Sequence, residues 1–358
     1  MAHPRRYVEL AAATARDLRG WHRGRPSTGE TYIAMRRAHR LTAGWSSVAA
    51  RRLLAKAPGS PDRLSPLDRP RLDEAGARSL TDLRRDGVAM LEPVLAPDEV
   101  ASLVDFAERA PARGRLASGA MQPGTYRDLA GDASAVFLDG TFAWARPEVQ
   151  RILADDRLWD LARAYFGLVP VVQPPQIYWS CAAAPEDETL APNLARNFHW
   201  DYDGVGGLRL HLYLTDVDAS AAPMQYVVGS HRPGALRTHE LRHADDGTAS
   251  ESALDALGLV ERRSITGPAG TTFISDSTGL HRATRPTGRD RLFLVFSLRA
   301  GSFAGYYHRR RRVPARDPRF AAALAAGRPE LSLFAAADPD EKVVTLDEEA
   351  TLAAATAG

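Results

Sequence analysis

One short stretch of the chain, residues 207–215, alternates between apolar and polar side chains with a strict period of two. Its apolar members are four leucines, at positions 208, 210, 212 and 214. Its polar members are Arg209, His211, Tyr213 and Thr215. Successive side chains of an extended chain point to opposite faces. The pattern therefore predicts a strand with one face against an apolar core and the other carrying titratable groups.

Other short apolar segments, separated by Gly, Pro and Asp turn signals, flank this strand from about residue 169 onwards. They are Val171–Ser180, Met224–Val228, Thr271–Ser275 and Arg291–Arg299. The pair Pro174-Pro175 directs the first of them to a sheet edge or a bulge, because proline cannot donate to a strand ladder. Many short strands with turns between them favour a sandwich, a jelly roll or a barrel.

Helical spacing dominates the N-terminal part of the chain. Residues 1–58 predict two helical stretches, and a loop rich in Pro and Gly follows at 58–70. Further helices are predicted from Pro97 to about Ala110 and over 148–165. The predicted organisation is an N-terminal helical extension at 1–78, a β-rich domain at 79–315 with a lid-like insert at 233–263, and a helical C-terminal tail at 316–358.

The composition is that of an ordinary globular protein. The chain has 358 residues, 44% of them hydrophobic, and a formal net charge of +2, which allows a large buried core. No apolar run reaches the length of about 18 residues that a transmembrane helix needs, and no signal-peptide pattern opens the sequence. The single cysteine, Cys181, excludes an intramolecular disulfide framework and a cysteine-based zinc cluster. These features favour a cytoplasmic protein.

The small net charge is the sum of two opposed parts. Residues 1–78 hold 16 basic and 7 acidic residues, a net of +9, and the remainder of the chain has a net of −7. A basic arm can bind a membrane or a nucleic acid. Because the rest of the chain is acidic, we expect the extension to pack against the body or against a second subunit in a homo-oligomer. A nucleic-acid partner is accordingly not expected.

A His-x-Asp motif and a later histidine are the strongest functional signal. His199 and Asp201 are two residues apart, so their side chains share one face of an extended chain. His281 follows the predicted strand Thr271–Ser275. Two neutral imidazoles and one carboxylate form the ligand set that suits non-haem Fe(II), and they leave positions for a bidentate cosubstrate and dioxygen. The sequence therefore predicts a metal site made of His199, Asp201 and His281.

A strand-borne arginine accompanies this motif. Arg291 begins the predicted strand Arg291–Arg299, and a buried guanidinium group can bind a carboxylate through two hydrogen bonds. Arg289, two residues earlier, lies on the same side of an extended chain and is the alternative.

These motifs, in this order, resemble the phytanoyl-CoA dioxygenase family of Fe(II)/2-oxoglutarate-dependent oxygenases over roughly residues 80–300. The similar segments are Leu83-Arg84-Arg85-Asp86-Gly87-Val88, His199-Trp200-Asp201, Val227-Val228-Gly229-Ser230-His231, and Gly270 to His281 followed by Arg291. The resemblance implies a double-stranded β-helix, or cupin-like jelly roll, with flanking helices, an α+β protein with a mainly β core. It also implies the cofactors Fe(II), 2-oxoglutarate and O2.

The resemblance assigns roles to residues. It gives His199, Asp201 and His281 to iron, and Arg291 to the distal carboxylate of 2-oxoglutarate. It places His211 in the 2-oxoglutarate pocket, although a packed interior histidine is an equal alternative. A lysine that the family often carries on the strand before the first histidine is absent. Gln176, Tyr178 or Ser180 could substitute for it in cosubstrate binding.

The predicted function is therefore oxidation of a small metabolite, in specialised metabolism. The enzyme would hydroxylate an unactivated C–H bond, or otherwise oxidise it, and release succinate and CO2. Related halogenases have a small residue at the position of Asp201, so its presence favours hydroxylation. The extension and the 233–263 segment are expected to select the substrate. The alternatives are a jelly-roll protein that binds a ligand without turnover, and a binder of anionic surfaces through the basic arm.

Overall fold

The computed structural model describes residues 4–21, 23, 27–138, 140–183, 197–237, 248–305 and 310–337. The helices in these ranges are α1 (Pro4–Trp21), α2 (Gly29–Leu41), α3 (Trp45–Lys56), α4 (Glu74–Asp86), α5 (Pro97–Arg109), α6 (Tyr126–Leu129), α7 (Gly140–Trp144), α8 (Pro147–Leu153), α9 (Asp156–Phe166), α10 (Glu251–Ala256) and α11 (Pro318–Ala325). Short 3-10 helices occupy Pro66–Asp68 and Pro329–Leu331.

The strands form two antiparallel sheets and one small parallel pair. They are β1 (Val88–Leu91), β2 (Ala112–Leu116), β3 (Met121–Gly124), β4 (Ala133–Leu138), β5 (Pro170–Val172), β6 (Gln176–Ser180), β7 (Phe198–His199), β8 (Gly207–Tyr213), β9 (Met224–Val227), β10 (Thr248–Ala249), β11 (Arg262–Ile265), β12 (Thr272–Asp276), β13 (His281–Ala283), β14 (Arg291–Ala300), β15 (Arg311–Pro314) and β16 (Phe334–Ala337).

The large sheet has the order β1-β12-β8-β14-β6-β4-β2-β3, with β5 also paired to β14. The small sheet has the order β10-β7-β13-β9-β11, and β15 pairs with β16 alone. Apolar side chains pack between the large sheet and the small sheet. Among them are Phe273 and Phe293 from the large sheet and Met224 and Tyr226 from the small one. This core is the jelly roll that the sequence predicts, and its prediction, with flanking helices and an N-terminal helical extension, is confirmed.

The alternating stretch forms the centre of the large sheet. β8 pairs with β14 over seven residues, from Tyr213 opposite Phe293 to Gly207 opposite Arg299. Three of the four leucines, at 208, 210 and 212, have no exposed surface and join the core that also contains side chains of the flanking helices. The opposite face of the strand is turned to the small sheet. The hydroxyl of Tyr213 there donates to the carbonyl of Ile265 at 2.9 Å.

The N-terminal extension packs against the β core of the same chain. The Trp21 indole N–H lies 3.1 Å from both the Asp62 carboxylate and the Ser302 hydroxyl, and Trp21 is 1% exposed. The Tyr32 hydroxyl donates to the carbonyl of Tyr202 at 3.0 Å. The extension therefore meets the core close to the segment that carries the His-x-Asp motif.

Several elements differ from the sequence-based prediction. The second helical stretch predicted within residues 1–58 is divided into α2 and α3 at Ala43 and Gly44, whose φ angles are 47° and 90°. The prolines at 174–175 fall in a gap between β5 and β6, and both of these strands pair with β14. The expectation of an edge position is therefore wrong for β6, which lies between β14 and β4.

Strands β2 to β4, over residues 112–138, were not predicted. β2 reads Ala-Arg-Gly-Arg-Leu, and Leu116 is its one large apolar residue, so it lacks an apolar alternation. Two predicted segments are described in part. Residues 238–247 of the insert and 338–358 of the tail lie outside the described residues, whereas β10 and α10 belong to the insert and α11 to the tail.

No described helix combines the length and apolar character needed to cross a membrane.

The end of α4 depends on a buried carboxylate. Asp86 accepts hydrogen bonds from Arg85 at 2.8 Å and from Arg263 of β11 at 3.0 Å. These guanidinium groups lower the pKa of Asp86 to about 2, although burial acts in the opposite direction. The folded pKa lies below the unfolded value, so the ionised group stabilises the fold above pH ~4, and this contribution is lost as the pH falls towards the folded pKa.

We expect the difference in unfolding free energy between wild type and Asp86→Asn to be largest near neutral pH. It should shrink as the pH falls from about 4 towards 2. Urea denaturation at a series of pH values measures it. A difference that does not change over this range would contradict the role of the ionised carboxylate.

Candidate metal centre

His199 and His281 lie on neighbouring strands of the small sheet. His199 ends β7, His281 begins β13, and the two are direct partners in the antiparallel register. The centroids of their imidazole rings are 4.4 Å apart. Strand pairing thus brings together two histidines that are distant in the sequence.

The backbone orients both imidazoles. Nδ1 of His199 lies 2.9 Å from the carbonyl oxygen of Asn197, and Nδ1 of His281 lies 2.9 Å from that of Gly279. Because a carbonyl can only accept, each Nδ1 carries a proton and each Nε2 keeps a free lone pair. Burial and the nearby His281 lower the pKa of His199 to about 4, so this ring is neutral at neutral pH. Imidazole rings that are oriented through Nδ1 and present Nε2 suit a divalent metal ion.

Asp201 brings a carboxylate to the same place. Its backbone N–H donates to the carbonyl of Ser277 at 2.8 Å, which fixes the chain two residues beyond His199. Its Oδ2 lies 3.8 Å from Nε2 of His199 and 3.2 Å from Nε2 of His281. One potential ligand atom from each of the three residues falls within 4.8 Å of the others. The donor set is the two-histidine, one-carboxylate arrangement that suits non-haem Fe(II).

Arg209 of β8, a residue to which the sequence assigned no role, lies beside this carboxylate. Its Nη2 is 2.9 Å from Oδ2 of Asp201 and 3.7 Å from Oδ2 of Asp203. Burial alone would raise the pKa of Asp201, but the positive charge of Arg209 holds that pKa well below its usual range. Burial raises the pKa of Asp203, and Arg209 opposes this effect. Arg209 is therefore the counter-charge of both carboxylates.

A signal for Arg209 was present in the sequence. Arg209 shares the polar face of the alternating strand with His211, which the family resemblance placed in the site. The missing information was tertiary, because the alternation does not show that β8 runs beside the loop after β7.

His211 lies deeper between the sheets and is 3% exposed. Its ring stacks between Phe273 and Phe293, with centroid distances of 4.6 and 5.2 Å, and its Nε2 lies 2.9 Å from the hydroxyl of Ser275. Burial and the charge of Arg209 lower the pKa of His211 well below its usual value, so the ring is neutral. The residue is a packed interior histidine that also borders the space below the metal ligands.

The two candidate arginines occupy different environments. Arg291 is 1% exposed, donates to the carbonyl of Ala222 and to the hydroxyl of Ser180, and lies 4.6 Å above the ring of Phe293. Arg289 has a side chain that is 62% exposed and approaches Asp218 only to 3.9 Å. Arg291 therefore reaches into the space between the sheets, whereas Arg289 lies at the surface.

Gln176, Tyr178 and Ser180 alternate along β6 on the face that it shares with Arg291 and Phe293. Ser180 accepts a hydrogen bond from Arg291 at 3.1 Å. Tyr178 is half-buried against Phe293, at a ring distance of 5.6 Å, and burial raises its pKa. Gln176 is exposed. The first two candidates thus border the interior space, and Gln176 lies at its outer end.

Several buried polar atoms around this space have no well-directed hydrogen bond within the described parts of the chain. They are Oδ2 of Asp201, Nε of Arg209, Nδ1 of His211 and Nε of Arg291. Because buried polar groups are almost always hydrogen-bonded, their clustering indicates that a ligand completes the site. A carboxylate and imidazoles fit a metal cation, and the guanidinium groups fit an anionic cosubstrate.

The sequence matches the profile of the phytanoyl-CoA dioxygenase (PhyH) family over residues 83–291, which is more than half of the chain. The chain belongs to this family. It is a non-haem iron, 2-oxoglutarate-dependent enzyme, for which O2 is the usual cosubstrate, and this prediction is confirmed. The prediction of a protein that binds a ligand without turnover is thereby set aside.

Among solved structures, the chain is similar to EctD from S. alaskensis with bound Fe, at 19% identity and a TM-score of 0.44, over 67% of this chain and 88% of that one. The epimerase SnoN in complex with Fe3+, alpha ketoglutarate and nogalamycin RO has 18% identity and a TM-score of 0.43, over 63% and 83%. HygX from Streptomyces hygroscopicus with nickel and 2-oxoglutarate bound has 16% identity and a TM-score of 0.42, over 69% and 93%. No curated protein matches the sequence. The family assignment therefore rests on the sequence profile.

The ion pairs of Arg209 generate a prediction about stability. Arg209→Met leaves Asp201 and Asp203 without their counter-charge, so we expect the metal-free protein to lose about 3 kcal/mol of unfolding free energy. The double variant Arg209→Met/Asp201→Asn should recover part of this loss, because one uncompensated charge is removed. Urea denaturation in the presence of a chelator measures both.

Arg289→Met is the matched control, because its side chain is 62% exposed and its loss should cost less than about 0.5 kcal/mol. Equal losses for Arg209→Met and Arg289→Met would contradict the assignment.

Proposed function

We propose that this enzyme hydroxylates, or otherwise oxidises, an unactivated C–H bond of a small metabolite, with Fe(II) bound by His199, Asp201 and His281. One observation carries the proposal. The three side chains offer ligand atoms within 4.8 Å of one another, and both imidazoles are held in the tautomer that leaves Nε2 free. Three protein ligands leave coordination positions for a bidentate cosubstrate and for dioxygen.

Arg291 is our candidate for the residue that binds the distal carboxylate of 2-oxoglutarate. Three features support this choice over Arg289. Arg291 is 1% exposed, it is oriented by Ser180 at 3.1 Å, and its Nε has no partner among the described residues. A planar guanidinium group can bind a carboxylate through two parallel hydrogen bonds. In this proposal His211 and Tyr178 border the cosubstrate, and Gln176 lies at the outer end of the same face.

Iron, 2-oxoglutarate and O2 supply the oxidising chemistry when bound, and its products are succinate and CO2. The side chains of the chain orient the reactants and exclude water. Arg209 keeps Asp201 ionised and therefore able to bind a cation. Phe273 and Phe293 cover the ring of His211 on both sides and leave that end of the space apolar.

We assign the selection of substrate to the parts of the chain that border the more open side of the metal ligands. The side chains of His199 and Asp201 are 18% and 29% exposed. In β10, Thr248 pairs with His199 directly, and Tyr32 of α2 bonds the backbone at Tyr202. In this proposal residues 79–315 form the catalytic domain, and the extension at 1–78 and the 233–263 segment shape its entrance.

The iron assignment has a direct spectroscopic test. Fe(II) and 2-oxoglutarate, added without oxygen, should give a weak visible charge-transfer band with the wild-type protein. The band should be lost in His199→Ala, which lacks one ligand, and retained in His231→Ala, which alters a histidine outside the cluster. Absence of the band from well-folded wild-type protein, as judged by circular dichroism, would overturn the proposal.

The role of Arg291 is tested by titrating 2-oxoglutarate against the same band. Arg291→Gln removes a charge-assisted pair of hydrogen bonds, so we expect the Kd for 2-oxoglutarate to rise about tenfold to a hundredfold. Arg289→Gln should leave the Kd unchanged, because its side chain lies at the surface. Equal effects of the two variants would count against Arg291 as the binding residue.

A further inference from the structure

A separate cavity of about 230 Å³ lies between the N-terminal helices and the β core. Asp276 and Thr278 line it, whereas Ser277 between them contacts Asp203 on the side of the metal centre. The cavity is thus separated from the metal ligands by the backbone of residues 276–278. Residues of α3 form its other wall, so it exists only because the extension packs on the core.

Three arginines face this cavity without an acidic partner in the described ranges. Arg51 of α3 is half-buried, and Arg84 and Arg232 stand at the exposed rim. Arg84 donates to the carbonyl of Ala164 at 2.8 Å, and Arg232 donates to the carbonyl of Arg85 at 3.1 Å. These bonds orient the two rim side chains but do not neutralise their charges. Arg51 makes neither a hydrogen bond nor an ion pair with any residue that the structure describes.

The neighbouring arginines are paired with a carboxylate, so the excess of positive charge is confined to the cavity. Arg85 and Arg263 both bond the carboxylate of Asp86, at 2.8 and 3.0 Å. The acidic residue that lines the cavity is Asp276, and its carboxylate already accepts hydrogen bonds from neighbouring groups. It accepts from the hydroxyl of Tyr165 at 2.6 Å and from the backbone N–H of Thr278 at 2.8 Å.

Two histidines complete the polar lining. Nδ1 of His39 lies 2.8 Å from the hydroxyl of Ser47. Nε2 of His231 lies 3.3 Å from the carbonyl of Arg84, and its buried Nδ1 has no partner among the described residues. The lining therefore combines three positive charges, one satisfied carboxylate and an unpartnered ring nitrogen.

The core makes room for the guanidinium group of Arg51. A Cβ atom at Gly206 would lie 2.9 Å from Nη1 of Arg51 and 3.2 Å from Cβ of Ala300. Glycine at this position lets Arg51 lie against the backbone and reach the cavity. The shape of the core therefore positions this guanidinium group, without a hydrogen bond or an ion pair to a described carboxylate.

We propose that this cavity binds a phosphate group, carried by a phosphorylated metabolite or present as free phosphate. Guanidinium groups bind phosphate oxygens through charge-assisted hydrogen bonds, and three of them match a doubly charged oxyanion. The site is independent of the oxidation chemistry, and residues of the extension and of the core build it together.

The test uses the full-length protein in a metal-free state, with ionic strength held constant by KCl. Inorganic phosphate should raise the thermal unfolding midpoint of the wild-type protein, and calorimetry gives the Kd. Arg51→Gln should weaken phosphate binding by about tenfold or more. Arg52→Gln, which changes the exposed neighbour on the same helix, should bind as the wild type does.

Two further variants keep the test decisive. Gly206→Ala leaves every charge in place but displaces the guanidinium group of Arg51, so it should also weaken binding even if Arg51→Gln folds poorly. Arg291→Gln should retain binding, because Arg291 is buried in the β core and does not line this cavity. Equal binding by wild type, Arg51→Gln and Gly206→Ala would overturn the proposal, as would loss of binding only in Arg291→Gln.

A panel of phosphomonoesters at matched concentrations separates the two sources of the group. Tighter binding of an ester than of inorganic phosphate, abolished by Arg51→Gln, identifies a phosphorylated metabolite. Equal or weaker binding of every ester identifies free phosphate. Failure of both inorganic phosphate and the esters to bind the folded wild-type protein would refute the site, and this result is independent of the charge-transfer band of the metal centre.

Discussion

The pairing of β8 with β14 fixes which side of the large sheet each side chain of the site faces. Seven residue pairs set this register. A shift of one residue would carry Arg209 and His211 to the helix-covered side and move leucines into the space between the sheets. Because Leu208, Leu210 and Leu212 are completely buried against the helices, such a shift would place charged and polar side chains in that apolar core. The burial of an apolar face thus holds the polar site in register.

The metal centre lies at the junction of two sheets that contribute different chemistry. The small sheet supplies the imidazoles, because β7 and β13 pair directly at His199 and His281. The large sheet supplies the positive charges, since Arg209 and Arg291 come from its central strands. The backbone hydrogen bond from Asp201 to Ser277 connects the two sheets, because Ser277 follows directly after β12 of the large sheet. Neither sheet alone contains a complete site.

Much of this arrangement could be predicted from the sequence. The features that could not be predicted have identifiable physical reasons. A period of two shows directly which residues share a face, so β8 and the common face of His199 and Asp201 could be predicted from the sequence, and His281 from its place after a predicted strand. The different environments of Arg289 and Arg291 could not be predicted in this way. Both lie on one side of an extended chain, and which of them is buried depends on where β14 begins. Arg209 was missed because its contact with Asp201 joins two elements whose proximity no local pattern encodes.

The helices show the same limit. The division between α2 and α3 occurs where Ala43 and Gly44 both have a positive φ, and the sequence permits but does not require that conformation at Gly44. β2 lacks an apolar alternation because Leu116 is its one large apolar residue, and its place in the sheet is set by pairing with β4. Local spacing predicts faces, whereas pairing partners come from the fold as a whole.

The N-terminal extension packs into the core although it lies outside the span that matches the family profile. The matching profile begins at residue 83, yet Trp21 is almost completely buried. Asp62 accepts the backbone N–H groups of Ser302 and Phe303, at 2.8 and 3.3 Å. A chain that began at residue 83 would lose the carboxylate that those N–H groups bond, and it would uncover Trp200 and Tyr202, whose rings contact His39. The span that matches the family profile is therefore shorter than the part of the chain whose side chains pack into this core.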